Sequence, residues 1–259
     1  MSYWEDRFSR AQNKITDKSI KQIEKQMKKY YSTTMKRIID DFERVYDKVL
    51  AAQAKGTEVT PAWLYQLDAY WQMQEQLKIE LQKLGDKQLI ALSKIFEENF
   101  FDVYYSIAMP RKKAFNTINN EMVQQLINHI WVADGKTWSK RVWDNTEKLA
   151  ATLNEELVNC VVGGKKTTEL KEKLQERFNV SYNQADTLAR TELAHIQTQA
   201  AKQRYEDYGI NRVEFWADPD ERTCKQCGKL HKKIYNINEA VPLPLHPRCR
   251  CTLLPVIER

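Results

Sequence analysis

Thiol and imidazole groups are concentrated near the C-terminal end of this 259-residue chain. Cys224 and Cys227 form a Cys-x-x-Cys pair. A second group follows after a loop of 18 residues and consists of His246, Cys249 and Cys251. Two close ligand groups joined by a short loop are typical of tetrahedral zinc sites, in which each group binds one edge of the ion. Because thiolate is a soft ligand that Zn²⁺ binds well, the spacing predicts a zinc site.

These five candidate ligands compete for four positions, and the spacing does not decide which one is left out. Cys249 and Cys251 are two residues apart, so on a strand both side chains face the same way. His246 and Cys249 are three apart, which suits a tight turn. His231 is a weaker, sixth candidate.

Two other interpretations of the cysteines are less favoured by their spacing. Reduced cysteines can pack as small apolar side chains, but such residues need not cluster at ligand spacing. Disulfides require an oxidising compartment, and the N-terminal residues do not form a signal-peptide pattern. We therefore expect a metal site.

A structural metal is expected rather than a catalytic one. A catalytic zinc keeps one position open for water, whereas here more than four ligands are available and most are thiols. Neither a His-Glu-x-x-His motif nor the deaminase pattern occurs in the sequence. The metal would instead help to fold a segment that is too short to bury a core of its own.

The composition indicates a globular protein with no membrane-spanning segment. Apolar residues make up 42% of the chain and charged residues 29%, and the mean hydropathy is −0.67. No apolar run approaches the roughly 20 residues that cross a bilayer. The net charge of +6 is a mild basic bias. Four basic pairs are dispersed along the chain and predict a solvated surface: Lys28-Lys29, Lys112-Lys113, Lys165-Lys166 and Lys232-Lys233. Only weak, non-specific DNA binding is expected from them.

Hydrophobic periodicity predicts a mainly α (α+β) fold, with a long-helical N-terminal body and a small C-terminal α/β module stapled by the Cys/His metal site. A helical body is expected over residues 1–162, with a possible docking region for a partner protein, and a metal-containing domain over 163–259. Ser181-x-x-Gln184 is interpreted as the capping box of the last helix. Strands are expected at 212–216 and 251–257, with a turn at Asp218-Pro219-Asp220. Seven helices are expected, over residues 3–54, 60–85, 86–109, 116–131, 138–162, 167–178 and 181–208.

Several motifs together resemble the phage head-morphogenesis family, whose members carry a phage Mu F-like domain. The opening Tyr3-Trp4-x-x-Arg7 is similar to the start of family members from phages of Gram-positive bacteria. The resemblance is best over residues 165–257. The other matching residues are Ala189-Arg190-Thr191-Glu192, Trp216, Asp220-x-Arg222-Thr223-Cys224-x-x-Cys227 and Pro244-x-His246-Pro247-x-Cys249-Arg250-Cys251.

The resemblance implies a structural minor head protein, or minor capsid protein, of a tailed bacteriophage. Such a protein would act in head morphogenesis and associate with the portal protein, the capsid or procapsid, and packaged DNA. It would assemble in the host cytoplasm and reside in the virion, in the capsid interior or at the portal vertex. Enzymatic activity, catalytic residues and a small-molecule substrate are not expected.

Four charged residues near the metal motif have two interpretations. In the first, Arg190, Glu192, Asp220 and Arg222 form a structural polar lock between a helix and the metal module. In the second, Arg190 and Glu192 belong to a zinc-dependent or nucleotide-handling enzyme. A zinc-stabilised DNA-binding protein is a third alternative. Three isolated residues receive structural interpretations: His195 as a helix-surface or lock residue, Cys160 in the core, and His129 near a helix end.

Overall fold

The computed structural model describes residues 3–107, 118–217, 221 and 223–257, with side chains from Arg10 onward. This part of the chain is mainly α-helical with one small antiparallel sheet, as the sequence predicted. The α-helices are α1 (Tyr3–Ala54), α2 (Pro61–Tyr65), α3 (Asp68–Ser106), α4 (Asn120–Ile127), α5 (Trp138–Val162), α6 (Thr167–Asp207) and α7 (Lys225–Gly228). The strands are β1 (Arg212–Trp216), β2 (Ile234–Asn236) and β3 (Thr252–Pro255).

The chain forms two compact units, and each is built from separate segments. The sheet unit comprises Met1–Ile23, Leu92–Trp138 and Thr187–Arg259. The helical unit comprises Glu24–Ala91 and Ser139–Asp186. The predicted division between residues 162 and 163 is a division along the sequence, and it stays a prediction.

The helical unit has a large apolar core. Tyr46, Phe42, Leu153 and Leu174 are fully buried in it. Cys160 lies in the same core at 5% exposure, which confirms the interpretation of this cysteine as a core residue. Burial of such apolar side chains stabilises a fold by roughly 1.5–3 kcal/mol each.

Gly85 was predicted to end a helix, and this prediction is wrong. The break falls earlier, at residues 66–67 between α2 and α3, and α3 continues through Gly85. A Cβ atom at this position would lie 2.3 Å from the ring of Trp143, so the missing side chain makes room for the indole. The glycine therefore marks close packing between helices rather than a helix end.

Ser181 was predicted to cap a separate helix, and this prediction is also wrong. α6 runs without a break from Thr167 to Asp207. Ser181 is buried within it, and its hydroxyl lies 3.2 Å from the hydroxyl of Tyr31. Because a tertiary partner satisfies the serine, the helix does not need to restart there.

The sheet has the order β2-β1-β3, with both pairings antiparallel. Phe215 pairs with Leu253, and Val213 with Tyr235. The predicted strand at 212–216 is confirmed and the C-terminal strand is shorter than predicted, whereas β2 was not foreseen. The hydroxyl of Tyr205 on α6 donates to the Leu253 carbonyl oxygen (3.0 Å), which ties β3 to the long helix.

Candidate metal centre

The first ligand pair is shaped by the short helix α7. Cys224 is the N-cap of α7, with extended backbone angles. The Cys227 backbone N–H donates to the Cys224 sulfur (3.4 Å), as a side-chain N-cap normally accepts. One helical turn therefore fixes the distance between the two thiols.

The second ligand group lies on a tight turn that leads into β3. The Cys249 N–H donates to the His246 carbonyl oxygen (3.1 Å). Arg248 within the turn adopts a left-handed conformation (φ 59°), which a non-glycine residue rarely takes. This turn directs the side chains of His246 and Cys249 towards the first pair.

The two groups meet at distances that suit a tetrahedral ion. The Nε2 atom of His246 lies 3.4 Å from the Cys224 sulfur and 3.3 Å from the Cys227 sulfur. The sulfurs of Cys227 and Cys249 are 3.9 Å apart. Bonds of about 2.3 Å to sulfur and 2.0 Å to nitrogen predict tetrahedral edges of about 3.8 Å between sulfurs and about 3.5 Å between sulfur and nitrogen. The cluster is thus positioned to bind one metal ion.

All five predicted ligands are brought together, and Cys227 is common to two groups. In each group the ligand atoms lie within 4.8 Å of one another. One group is Cys224, Cys227 and His246, and the other is Cys227, Cys249 and Cys251. The choice of four ligands from these five stays open.

Hydrogen bonds within the cluster prepare two of the thiols for metal binding. The Cys251 thiol donates to Cys249 and, with backbone N–H groups, lowers the pKa of Cys249 to about 5. The Cys227 N–H lowers the pKa of Cys224 in the same way. Burial raises the pKa of Cys227 to about 12. Since the thiolate is the form that binds metal, the cluster favours ionised sulfur at two positions.

One face of α6 holds the loop that carries the second ligand group. Thr191 Oγ1 accepts from the Arg248 backbone N–H (3.2 Å), and Thr187 Oγ1 accepts from Arg248 Nε (3.1 Å). His195 Nδ1 lies 3.0 Å from the Leu243 carbonyl oxygen. These three side chains, the α6 loop contacts, are four residues apart and therefore lie in one row along the helix. Thr187 was not among the predicted site residues, although its spacing of four residues from Thr191 was the available signal.

His195 is buried and electrically neutral in this arrangement. Because Leu243 offers a carbonyl oxygen, Nδ1 carries the proton, and the buried Nε2 has no hydrogen-bond partner in the described part of the chain. The ring stacks on Trp131 with centroids 4.4 Å apart. Burial lowers the pKa of His195 to about 4. The expected position on the helix surface is wrong, since His195 is 3% exposed, whereas its contact with Leu243 is of the kind expected of a lock residue.

Glu192 lies beside Trp131, the residue on which His195 stacks, and is 2% exposed. Its carboxylate accepts a hydrogen bond from Trp131 Nε1 (2.8 Å). Arg190, on the same helix, is half-buried. Asp220 and Arg222, together with the turn predicted at 218–220, lie outside the described residues, so the polar lock between these residues and α6 stays a prediction.

The two remaining histidines lie away from the metal cluster. His231 Nδ1 accepts from the Ala217 N–H (3.2 Å), and its ring packs edge-on against Trp216. It therefore supports the end of β1, and it belongs to neither ligand group found among the described residues. His129 is exposed just after α4, near a helix end as expected.

These features define a class of protein: mainly helical, with a long helix supporting a small sheet and a Cys/His cluster. Residues 151–254 match the family described as Phage Mu protein F like protein. This segment is therefore similar to the phage Mu F-like domain, and the resemblance noted from the motifs is confirmed over it. The match begins within α5, earlier than the predicted start at residue 163, and it includes all five candidate ligands. It supports a phage head protein.

A curated relative of the chain is named for an enzymatic activity. The NAD(+)–arginine ADP-ribosyltransferase EFV of Enterococcus faecalis is 26% identical over 182 residues. The alignment covers 62% of this chain but only 37% of that protein. No solved structure matches the chain. None of the helices in the described residues is long and apolar enough to cross a membrane.

Proposed function

We propose that the chain is a minor head protein of a tailed bacteriophage, acting in head morphogenesis and associated with the portal protein, the capsid or procapsid, and packaged DNA. One observation carries the proposal: the segment that matches the phage Mu F-like family contains the complete Cys/His cluster and the helix that holds it. The site of action is then the virion, in the capsid interior or at the portal vertex.

The metal in this proposal is Zn²⁺, in a structural role. Four cysteines and one histidine supply more than the four ligands that a closed tetrahedral site needs, and such thiol-rich sets suit zinc. Binding at this cluster would join α7 to the turn before β3. Its free energy would add directly to the folding free energy of the sheet unit.

The proposed role is structural rather than enzymatic. Glu192 is buried and its carboxylate accepts the Trp131 indole N–H, so it is not positioned to reach a substrate in this conformation. The thiols of the cluster and the side chain of Arg248 contact other groups of the protein. The enzyme alternative, with Arg190 and Glu192 in catalytic roles, predicts instead an accessible carboxylate beside an open metal position.

The head-protein proposal is tested by assembling phage heads with and without the chain. The chain is co-expressed with the portal and major capsid proteins of the phage that encodes it, and the particles are separated by sedimentation. We expect the chain to sediment with heads and to be lost from particles made without portal protein. A chain that stays at the top of the gradient in both cases contradicts the proposal.

A second assay separates the structural role from the enzymatic one. The purified, zinc-loaded chain is incubated with NAD⁺ and an arginine-containing protein, and nicotinamide release is followed. We expect no release above that of a Glu192→Gln variant. Release that depends on Glu192 would favour the enzyme alternative. X-ray absorption at the zinc edge completes the test, with four sulfur or nitrogen neighbours expected and no water.

A further inference from the structure

Two large aromatic side chains lie on the surface of the helical unit, and much of their area is left in water. Trp71 is 55% exposed and Tyr65 is 42% exposed. Tryptophan and tyrosine are enriched at interfaces between proteins, where their large rings become buried. Both rings therefore offer apolar area that a partner can cover.

Contacts within the helical unit hold both rings in fixed positions. Trp71 Nε1 donates to the Tyr65 carbonyl oxygen (2.8 Å). Both rings pack against the buried ring of Tyr70, with centroids 5.3 Å apart in each case. The Tyr70 hydroxyl in turn donates to Asn154 Oδ1 on α5 (2.9 Å). Since the rings are already ordered, covering them costs a partner little side-chain entropy.

Carboxylates flank the exposed indole. Asp68 and Glu75 lie three residues before and four residues after Trp71 on α3, so both are its neighbours on one face of the helix, and both are exposed. Glu75 is paired with Lys78 (3.0 Å), but both side chains are largely exposed, so this pair is weak and a partner can replace it. Tyr65, Asp68, Trp71 and Glu75 are called here the aromatic–acidic patch.

The segments around the patch contain no basic residues of their own. The chain has 41 Lys and Arg residues, yet none occurs over residues 56–77. None occurs over residues 149–164 either, the stretch of the same unit that contacts Tyr70 through Asn154. Glu155 is exposed in that stretch. The patch is therefore an acidic region on a chain of net charge +6, which predicts a partner of positive charge.

An arginine side chain fits this combination of groups best. Its planar guanidinium group stacks on an aromatic face and also donates paired hydrogen bonds to a carboxylate. The ammonium group of lysine is more strongly hydrated and is not planar, so it gains less from the ring. Tryptophan attracts a cation more strongly than the other aromatic residues do.

We propose that the aromatic–acidic patch of the helical unit binds an arginine-bearing, basic segment of a partner protein. The binding surface rests on the exposed rings and the carboxylates beside them. The identification of this partner as a component of the phage head rests on the proposed function.

The test compares two double variants that remove the same kinds of group from α3. Trp71→Ala with Glu75→Gln removes a ring and a carboxylate from the patch. Ile90→Ala with Asp86→Asn removes an exposed apolar side chain and an exposed carboxylate elsewhere on the helix. Both variants change the net charge equally. Because all four side chains are exposed, helical circular dichroism and zinc content should stay at the wild-type level.

Binding of the full chain to a fluorescein-labelled peptide of about 12 residues is measured by fluorescence anisotropy. The peptide carries four arginines spaced by glycine and serine, and a second peptide carries lysines instead. We expect saturable binding of the arginine peptide and weaker binding of the lysine peptide. The patch variant should bind the arginine peptide about five- to tenfold more weakly, because it loses a cation–π contact and an exposed ion pair. The control variant should bind as wild type does.

Four results would overturn the proposal. The first is the absence of saturable binding, and the second is equal binding of the arginine and lysine peptides. The third is an equal loss of binding in both variants. The fourth is a different occupant of the patch: tighter binding to phosphatidylcholine vesicles than to the peptide indicates a lipid surface, and self-association that Trp71→Ala abolishes indicates a second copy of the chain.

Incorporation into heads separates this proposal from the proposed function. We expect the patch variant to enter heads at a severalfold lower level than the control variant, and equal levels contradict a head component as the partner. If wild-type chain enters heads but does not bind the arginine peptide, the patch proposal fails alone. If it binds the peptide but never enters heads, the proposed function fails instead.

Discussion

Cys227 is the residue on which both ligand groups depend. Its sulfur lies 3.3 Å from His246 Nε2 and 3.9 Å from the Cys249 sulfur, and it is 1% exposed. We predict that Cys227→Ser reduces bound zinc to near zero in the purified protein, because Cys227 is common to both ligand groups and its loss leaves only two ligands in each. Elemental analysis of metal per chain is the measurement.

Cys160 provides the matched control for this variant. It is the one cysteine outside the C-terminal motif and lies in the core of the helical unit. Cys160→Ala should lower stability slightly but leave the zinc content unchanged. Zinc retained in Cys227→Ser, or lost in Cys160→Ala, would place the metal elsewhere.

His195 should make the protein sensitive to mild acid. Its pKa in the fold is about 4, below the ordinary value of 6.5, because burial disfavours the charged ring and His129 and Lys202 oppose it further. Above pH 6.5 the ring is neutral in both folded and unfolded chains. As the pH falls from 6.5 to 4, the unfolded chain binds a proton that the folded chain excludes, so stability falls by up to about 3 kcal/mol.

Urea unfolding of wild type and His195→Asn at several pH values checks this prediction. The asparagine amide keeps a donor near the position of Nδ1 but does not titrate. Both proteins contain the same cysteine cluster, so acid release of metal affects them equally. We expect the difference in unfolding free energy between them to shrink from pH 7 to pH 4, and a constant difference would refute the assigned pKa.

The contacts that α6 makes with the ligand loop should determine the affinity of the site for zinc. Thr191→Val removes the oxygen that accepts the Arg248 N–H while keeping the side-chain shape. Loss of an outer contact that orients a ligand loop typically costs 10–100-fold in metal affinity. We therefore predict zinc affinity at least about tenfold lower, measured by competition with a chromogenic chelator.

Thr198→Val is the matched control on the same helix. Thr198 is buried, and its hydroxyl donates to the Ala194 carbonyl oxygen (2.9 Å), as the Thr191 hydroxyl donates to Thr187. Within the described residues, Thr198 makes no hydrogen bond to the loop that carries the second ligand group. If both variants weaken zinc binding equally, the loss comes from a general change in α6 and not from the missing hydrogen bond between Thr191 and Arg248.

The sequence predicted helical content better than helix boundaries. α1 and α5 were predicted within a residue because their apolar spacing is regular and glycines follow them. The break at Gly85 and the cap at Ser181 failed for a common reason. Glycine is a local signal for a helix end and serine for a helix start, but Trp143 packs against Gly85 and Tyr31 contacts Ser181 from distant parts of the sequence. Such partners are not visible in a local pattern.

The candidate site also contains features that the local sequence predicts and features that it does not. The five ligands could be predicted from their spacing, because each ligand group lies in a short stretch of chain whose backbone geometry brings its side chains together. The contact between Trp131 and Glu192 joins residues 61 positions apart and has no local signature. The α6 loop contacts fall between these cases: their spacing is visible, but their partner Arg248 is not.

For the whole molecule, removal of the metal should affect one unit selectively. All five candidate ligands lie in the sheet unit, which contains Thr187–Arg259. The helical unit has its own apolar core. We predict that chelation speeds hydrogen exchange in β1 and β3 and leaves the core of α5, such as Leu153 and Leu157, unchanged.

Hydrogen exchange read by mass spectrometry on the holo and chelated protein makes this comparison. The helical unit serves as an internal reference in the same sample. Equal acceleration in both units would mean that the metal stabilises the chain as a whole.

The bond between Thr252 and Gln12 (2.9 Å) joins residues 240 positions apart. During synthesis on the ribosome, the segments of the helical unit are complete once residue 186 has emerged. The sheet unit is completed later, because Gln12 meets Thr252 only when the C-terminal segment has left the exit tunnel. A polypeptide interrupted before Cys249 would therefore lack both this bond and two of the five candidate ligands. The order of translation thus makes the metal site one of the last parts of the fold to be completed.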